Sequence, residues 1–177
     1  MLHAKGHRVL IDPMLVLRHV PHEPLTGEGV AAVVLTSANA LPGLDDPLRR
    51  LPIFAVGPAT AQAAIAAGCP RVEAGGGDGV ELARLIRERL PPEAGTILHV
   101  CGEEVRDGLE AALVEAGYRY ERLVVYRTEA PPRLSSRTVE ALKAHEIDAV
   151  LFYSPRTAAN FAELVVREGL AGELAHA

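Results

Sequence analysis

Ala31-Ala32-Val33-Val34-Leu35-Thr36, followed by Ile53-Phe54-Ala55-Val56 ahead of Gly57-Pro58-Ala59-Thr60, is the stretch that decides the fold. Both apolar runs are short and unbroken by charge, the pattern of strands covered on both faces. Pro58 supplies a first helical position, and Gly68 is placed to close that helix in a left-handed conformation. The alternation continues with Arg71-Val72-Glu73 as a short third strand. Asp78 with Glu81 three residues on forms a capping box, opening a helix with Leu82, Leu85, Ile86 and Leu90 on one face. Thr96-Ile97-Leu98-His99-Val100-Cys101 reads as a fourth strand. A helix with Val105, Leu109, Ala112, Leu113 and Ala116 on one face follows, with Gly117 at its end. Arg122-Leu123-Val124-Val125-Tyr126 is the fifth strand. Strands alternating with helices imply a doubly wound parallel α/β domain over residues 23–121.

Working outward, two extended segments bracketed by proline flank this domain: Met14 to Val20, between Pro13 and Pro21, and Leu123 to Glu129, ahead of Pro131-Pro132. Proline keeps both out of helices. Residues 13–22 and 122–130 therefore read as a two-stranded connector. Residues 1–12 and 131–177 supply part of another α/β domain, with a helix over 136–145 and an apolar strand at Ala149-Val150-Leu151-Phe152-Tyr153. A last helix is capped by Ser154, with Pro155 in its first turn. A weak internal repeat relates Val34-Leu35-Thr36-Ser37 to Leu151-Phe152-Tyr153-Ser154. The expected fold class is α/β: two doubly wound parallel-sheet domains joined by the connector, one complete and one partial.

Composition narrows function. In 177 residues, 49% are apolar and 23% charged, which argues against disorder. No run approaches the roughly 20 apolar residues that cross a bilayer, and the start has no signal-peptide stretch, so a cytoplasmic protein is expected. Eighteen Lys and Arg against 23 Asp and Glu give a net charge of −5, which leaves no electrostatic footprint for nucleic acid. Cys69 and Cys101 have no CxxC spacing and read as small buried apolar residues. The histidines, at 3, 7, 19, 22, 99, 145 and 176, show no metal-ligand spacing; most are expected in solvent and His99 in a strand. The segment Gly75-Gly76-Gly77-Asp78-Gly79 lacks the Lys-Ser/Thr of a nucleotide loop, so a plain turn is expected.

Five short motifs, in order, carry a resemblance: Asp12-Pro13, Leu35-Thr36-Ser37-Ala38-Asn39-Ala40, Ala55-Val56-Gly57-Pro58-Ala59-Thr60-Ala61, Val125-Tyr126-Arg127-Thr128, and Phe152-Tyr153-Ser154-Pro155-Arg156-Thr157. With the paired connectors, they make the chain similar to the uroporphyrinogen-III synthase family over nearly its whole length. The resemblance implies two α/β domains, the first built from both chain ends. It also implies truncation at both ends relative to the family. The implied activity is that of a cofactor-free, monomeric hydro-lyase of haem biosynthesis. It closes hydroxymethylbilane, a linear tetrapyrrole with eight carboxylates, to uroporphyrinogen III with loss of water and inversion of ring D.

Holding a flexible octa-anion demands shape and placed hydrogen-bond donors more than a nucleophile. Helix N-termini, with unpaired N–H groups and positive dipole ends, are the donors this anionic chain has. The candidates are Thr36, Ser37, Ala38 and Asn39; Gly57 and Thr60; Gly76 to Gly79; Gly102-Glu103; and Ser154, Pro155, Arg156 and Thr157. Ser37, Ser154 and Thr60 are equally explained as caps. Arg156 opposes the helix dipole unless an anion is near, and otherwise is a surface arginine. Arg106 and Asp107 are expected on a helix surface. Tyr126 matches the family's tyrosine on the returning connector, where a phenol would help the hydroxyl depart; the plainer reading is a half-buried strand tyrosine. The competing functional classes are a non-catalytic small-molecule-binding α/β module, which includes an inactive fragment, and a flavodoxin-like nucleotide or flavin protein.

Overall fold

A computed structural model describes residues 3–105 and 108–176; Arg106 and Asp107 lie outside the described residues. The chain divides into two compact units, residues 18–127 and residues 1–17 with 128–177.

The first unit is built on β2 (Val30–Leu35), whose residues Ala32 to Leu35 are fully buried. A strand without a polar face must be covered on both sides and paired on both edges. It pairs in parallel with β3 (Ile53–Ala55), in the register Val33 to Ile53 and Leu35 to Ala55. On its other edge it pairs in parallel with β5 (Thr96–Gly102), Leu35 standing beside Val100. Adding β4 (Val72–Ala74), β6 (Arg119–Glu129) and β1 (Val16–His19) gives a six-stranded sheet of order β1-β6-β5-β2-β3-β4.

Alternate residues of β2 feed two cores. Val33 and Leu35 pack with Leu41 of a 3₁₀ turn (Ala38–Gly43), Leu44 just after it, Leu48 of α1 (Asp46–Arg49) and Ala64 of α2 (Pro58–Ala66). Ala32 and Val34 pack with Leu82, Ile86, Leu109 and Leu113 from α3 (Gly79–Arg89) and α4 (Leu109–Glu115). The punctuation behaves as the residues dictate. Gly68, at φ +86°, closes α2: its N–H reaches Ile65 O, and the Cys69 N–H reaches Ala64 O. Asp78 caps α3 by accepting from the Glu81 N–H at 2.8 Å. Cys69 and Cys101 are buried free thiols.

Three expectations are corrected here. The fifth strand and the returning connector are one continuous strand, β6. Pairing with β5 begins at Thr96 beside Arg119, and the ladder recruits Arg119 to Glu121 despite their polarity. Val105 is not part of α4, because Gly108, at φ +111°, interrupts the chain just before the helix starts. Ser37 opens a 3₁₀ turn and not an α-helix, since Pro42 within Ala38–Gly43 cannot donate to an α ladder.

In the other unit, α5 (Ser136–Lys143) and α6 (Pro155–Arg167) bury Leu142, Phe161, Leu164 and Val165 with Met14, Leu134 and Leu170. Side chains tie the backbone together: Asn160 donates to Met14 O at 2.8 Å, Asp12 accepts from the Ser135 N–H at 2.9 Å, and Glu168 accepts from the Leu134 N–H at 2.8 Å. Ala149 to Tyr153, expected as a buried strand, forms none; Leu151 is 62% and Tyr153 97% exposed. Strand propensity becomes a strand only where a neighbour takes up the backbone N–H and C=O groups, and among the described residues none does so for this segment. No helix among the described residues is long and apolar enough to cross a membrane.

Gly43 lies so close to β6 that an added Cβ would sit 2.4 Å from Val125 Cβ. Gly43→Ala is expected to destabilise the 18–127 unit by about 1–3 kcal/mol, as overpacking does. Gly172→Ala, where a Cβ meets nothing within 4 Å, serves as the control. Urea unfolding of the intact protein compares the two, and equal midpoints would contradict the close approach.

Candidate functional site

Because β2, β3, β4, β5 and β6 run parallel, the loops leaving their carboxyl ends open along one edge of the sheet. The chain leaves β2 toward the face covered by Leu41 and Leu48, and leaves β5 toward the face covered by Leu109 and Leu113. Strand order reverses between these two neighbours, so the crevice outside their carboxyl ends is the switch point where open α/β sheets hold ligands.

Thr36, Ser37, Ala38 and Asn39 follow β2 directly into that crevice. The Ser37 Oγ accepts from the Asn39 N–H at 3.2 Å, so it caps the turn, while Ala38 and Asn39 are exposed. One strand further out, Gly57 begins α2 in extended conformation. The first intrahelical bond is from the Ala61 N–H to Gly57 O, which leaves the Ala59 and Thr60 N–H groups at the open end. Thr60 is 9% exposed.

Of the two other expected helix N-termini, Gly76 to Gly79 do lead into a helix, α3, whereas Gly102-Glu103 is corrected. The glycine-rich segment is the plain turn foreseen for it: Gly75 N–H donates to Ala55 O and Gly77 N–H to Val56 O, and Asp78 occupies the end of α3. Gly102-Glu103 is no helix N-terminus, since α4 starts at Leu109 and the Glu103 N–H donates to Tyr126 O.

Tyr126 stands beside Gly102 across the β5–β6 pair, half-buried against the core that includes Leu35 and Val125. A Cβ on Gly102 would lie 2.7 Å from the tyrosine ring, so the glycine makes the space in which the phenol lies. Behind the crevice, His99 is 2% exposed and hydrogen-bonds through Nε2 to Thr36 Oγ1 at 2.9 Å and through Nδ1 to the Tyr120 hydroxyl at 2.6 Å. Burial first, and the Arg122 charge second, hold its pKa down to about 4. Burial pushes the Tyr120 phenol well above its usual range. Among the described residues no group of three or more His, Cys, Asp or Glu is placed to hold a metal.

The family model of uroporphyrinogen-III synthase HemD matches residues 1–177. The chain belongs to the uroporphyrinogen-III synthase family. Its fold is similar to the crystal structure of uroporphyrinogen-III synthetase from Helicobacter pylori, at 20% identity and a TM-score of 0.61, over 85% of this chain and 70% of that one. It is also similar to a mutant uroporphyrinogen III synthase from Thermus thermophilus, at 26% identity and a TM-score of 0.54, over 97% of this chain and 74% of that one. Comparison with curated proteins gave no match.

Within the 18–127 unit, the synthase-like motifs bring Thr36, Ser37, Ala38, Asn39, Gly57, Thr60 and Tyr126 to one sheet edge. Ser154, Pro155, Arg156 and Thr157 lie in the other unit, at the start of α6. There the Ser154 Oγ accepts from the Thr157 N–H at 3.3 Å, the Thr157 hydroxyl donates to Ser154 O at 2.8 Å, and Arg156 donates to Thr128 O at 2.9 Å. Two histidine environments escaped the sequence reading. His22, expected in a connector, directs its ring nitrogens at Glu23 O and Gly43 O, at 3.0 and 2.9 Å, and these carbonyls with Asp45 raise its pKa. His99 was legible as a strand residue, but its link to Thr36 depends on the register that sets it beside Val34, two residues before Thr36.

Because His99 binds a proton less readily folded than unfolded, its contribution to stability is complete above pH 6.5 and is lost as pH falls toward 4. Lowering pH from 7 to 5 is expected to cost about 2 kcal/mol through this residue. Chemical denaturation of wild type and His99→Gln at both pH values isolates that difference; equal pH dependence would contradict it.

Proposed function

We propose that this chain closes hydroxymethylbilane to uroporphyrinogen III at the carboxyl edge of the 18–127 sheet, acting in the cytoplasm as a cofactor-free, monomeric hydro-lyase. The observation that carries the reading is the gathering of Thr36 to Asn39, Gly57 to Thr60 and Tyr126 around one switch point, in a chain of the synthase family. In this reading residues 13–22 and 122–130 connect the domains, and Ser154, Pro155, Arg156 and Thr157 contribute further contacts to substrate.

The chemistry follows from the groups available. The Ala38 N–H of the turn after Ser37 and the Ala59 and Thr60 N–H groups at the open end of α2 take substrate carboxylates, neutralising charge without a cluster of cations. The Tyr126 phenol donates a hydrogen bond to the terminal hydroxyl as its C–O bond breaks. The departing oxygen takes the phenol's proton and leaves as water, the pyrrole N–H of the same ring returns a proton to the phenolate, and the neutral azafulvene carbon that remains is attacked by the last pyrrole ring through its substituted position. The resulting spiro intermediate rearranges with ring D inverted. Fixing the folded conformer is what separates this outcome from unassisted closure to the symmetrical isomer.

A coupled assay that generates hydroxymethylbilane in situ, followed by oxidation and separation of porphyrin isomers, decides the matter. Type III in excess, rising with protein concentration, is expected; type I alone would overturn the synthase reading in favour of a binding module. Tyr126→Phe is expected to lower kcat by about 10- to 100-fold. Gly102→Ala, which pushes the ring aside, is expected to lower it comparably, and the double substitution to cost little beyond either alone. Unchanged rates in Tyr126→Phe would remove the phenol from the mechanism.

A further inference from the structure

His99 and Thr36 carry an inference that rests on the functional reading above and goes beyond it. His99 is on β5, buried on the face covered by α3 and α4, and its two ring nitrogens meet two hydroxyls from different strands, Thr36 at the end of β2 and Tyr120 on β6. A neutral imidazole has one donor and one acceptor, so the two hydroxyls cannot play the same part. The phenol is the more acidic hydroxyl and the better donor, and at 2.6 Å it makes the shorter bond. Tyr120 therefore donates to Nδ1, which leaves the proton of His99 on Nε2. The charged and titratable groups around this pair are Arg122 on β6, Glu110 on α4 and Cys101 on β5; burial, helped by the arginine charge, keeps the ring neutral.

We propose that His99 is a positioning residue for Thr36: its Nε2–H donates to Thr36 Oγ1, which commits the threonine's own proton to an acceptor outside the sheet edge, a carboxylate of the bound tetrapyrrole. A threonine hydroxyl has a single proton and is otherwise as ready to accept as to donate. With the His99 N–H on one of its lone pairs, the hydroxyl cannot spend its own proton on the imidazole, and that proton is left to donate outward. The chain Tyr120 to His99 to Thr36 thus orders three protons in one direction and adds a side-chain donor to the backbone donors of the Ser37 turn.

The test uses the intact protein. Nitrogen NMR of histidine-labelled protein between pH 6 and 8 is expected to show His99 as the Nε2–H tautomer, and the Nδ1–H tautomer would overturn the proposal. Thr36→Val and His99→Leu are each expected to raise KM for hydroxymethylbilane roughly tenfold, the worth of one hydrogen bond to a charged group, with the loss falling on KM and not on kcat. The double substitution is expected to cost no more than either single one. His99→Gln, which keeps an amide donor near the Nε2 position, is expected to recover most of the affinity. Additive losses, or losses confined to kcat, would overturn the proposal.

Should His99→Leu fail to fold, Tyr120→Phe keeps the imidazole and removes the donor to Nδ1; mixed tautomers with a raised KM are then expected, and an unchanged tautomer and KM would count against it. Uroporphyrin III fluorescence gives the same comparison without turnover, and equal binding by wild type and Thr36→Val, or no binding by wild type, would overturn it. Type I product from a wild type that binds uroporphyrin tightly through Thr36 would remove the synthase reading and leave this proposal standing.

Discussion

Parallel pairing of β2 on both of its edges is the constraint on which the rest of the 18–127 unit depends. Val33, Val34 and Leu35 have no polar face to offer water, so the strand is stable only with β3 on one side, β5 on the other and helices over both faces. Parallel neighbours end at the same edge. The consequence is that Thr36, Gly57, Gly102 and Tyr126, up to 90 residues apart in sequence, share one rim without any contact designed to bring them together. A slip of one residue between β2 and β5 would turn His99 to the opposite face and separate it from Thr36.

In the proposed function that rim takes a ligand with many carboxylates through donors that are mostly backbone. A net charge of −5 would ordinarily repel such a ligand, and no cluster of cations offsets it in the motif segments. N–H groups at the open end of a helix supply positive potential without altering formal charge. The close approaches at Gly43 and Gly102 have the same logic. Each removes a Cβ where a residue of β6 must come in, Val125 in one case and Tyr126 in the other, so two glycines set where the β6 side chains stand at the rim.

The unit formed by 1–17 and 128–177 is held differently. Apart from the ends of β1 and β6, its described elements are helices and turns, and the backbone groups of Met14, Ser135 and Leu134 are satisfied by the side chains of Asn160, Asp12 and Glu168. Its strand-like stretch, Val150 to Tyr153, stays exposed. The contrast between Val33-Val34-Leu35 and Val150-Leu151-Phe152 shows that an apolar run states what a segment would do given a partner, and that the partner lies in the fold.

Local chemistry settled what the sequence by itself could determine. Pro58, Gly68, Asp78, Gly117 and Ser154 fixed where helices start and stop, because caps and left-handed glycines act within a few residues of themselves. The apolar runs fixed a parallel α/β sheet, and the ordered motifs pointed to the synthase family. Tertiary structure decided what depends on register and pairing. It joined the fifth strand and the connector into one, because the β5 ladder recruits polar residues, and it left Val150 to Tyr153 without a ladder. It closed the Gly75–Asp78 turn on the carbonyls of Ala55 and Val56 and on the Asp78 carboxylate. It also placed a buried, neutral His99 between Tyr120 and Thr36, since hydrogen bonds between strands distant in sequence exist only once the sheet has aligned them.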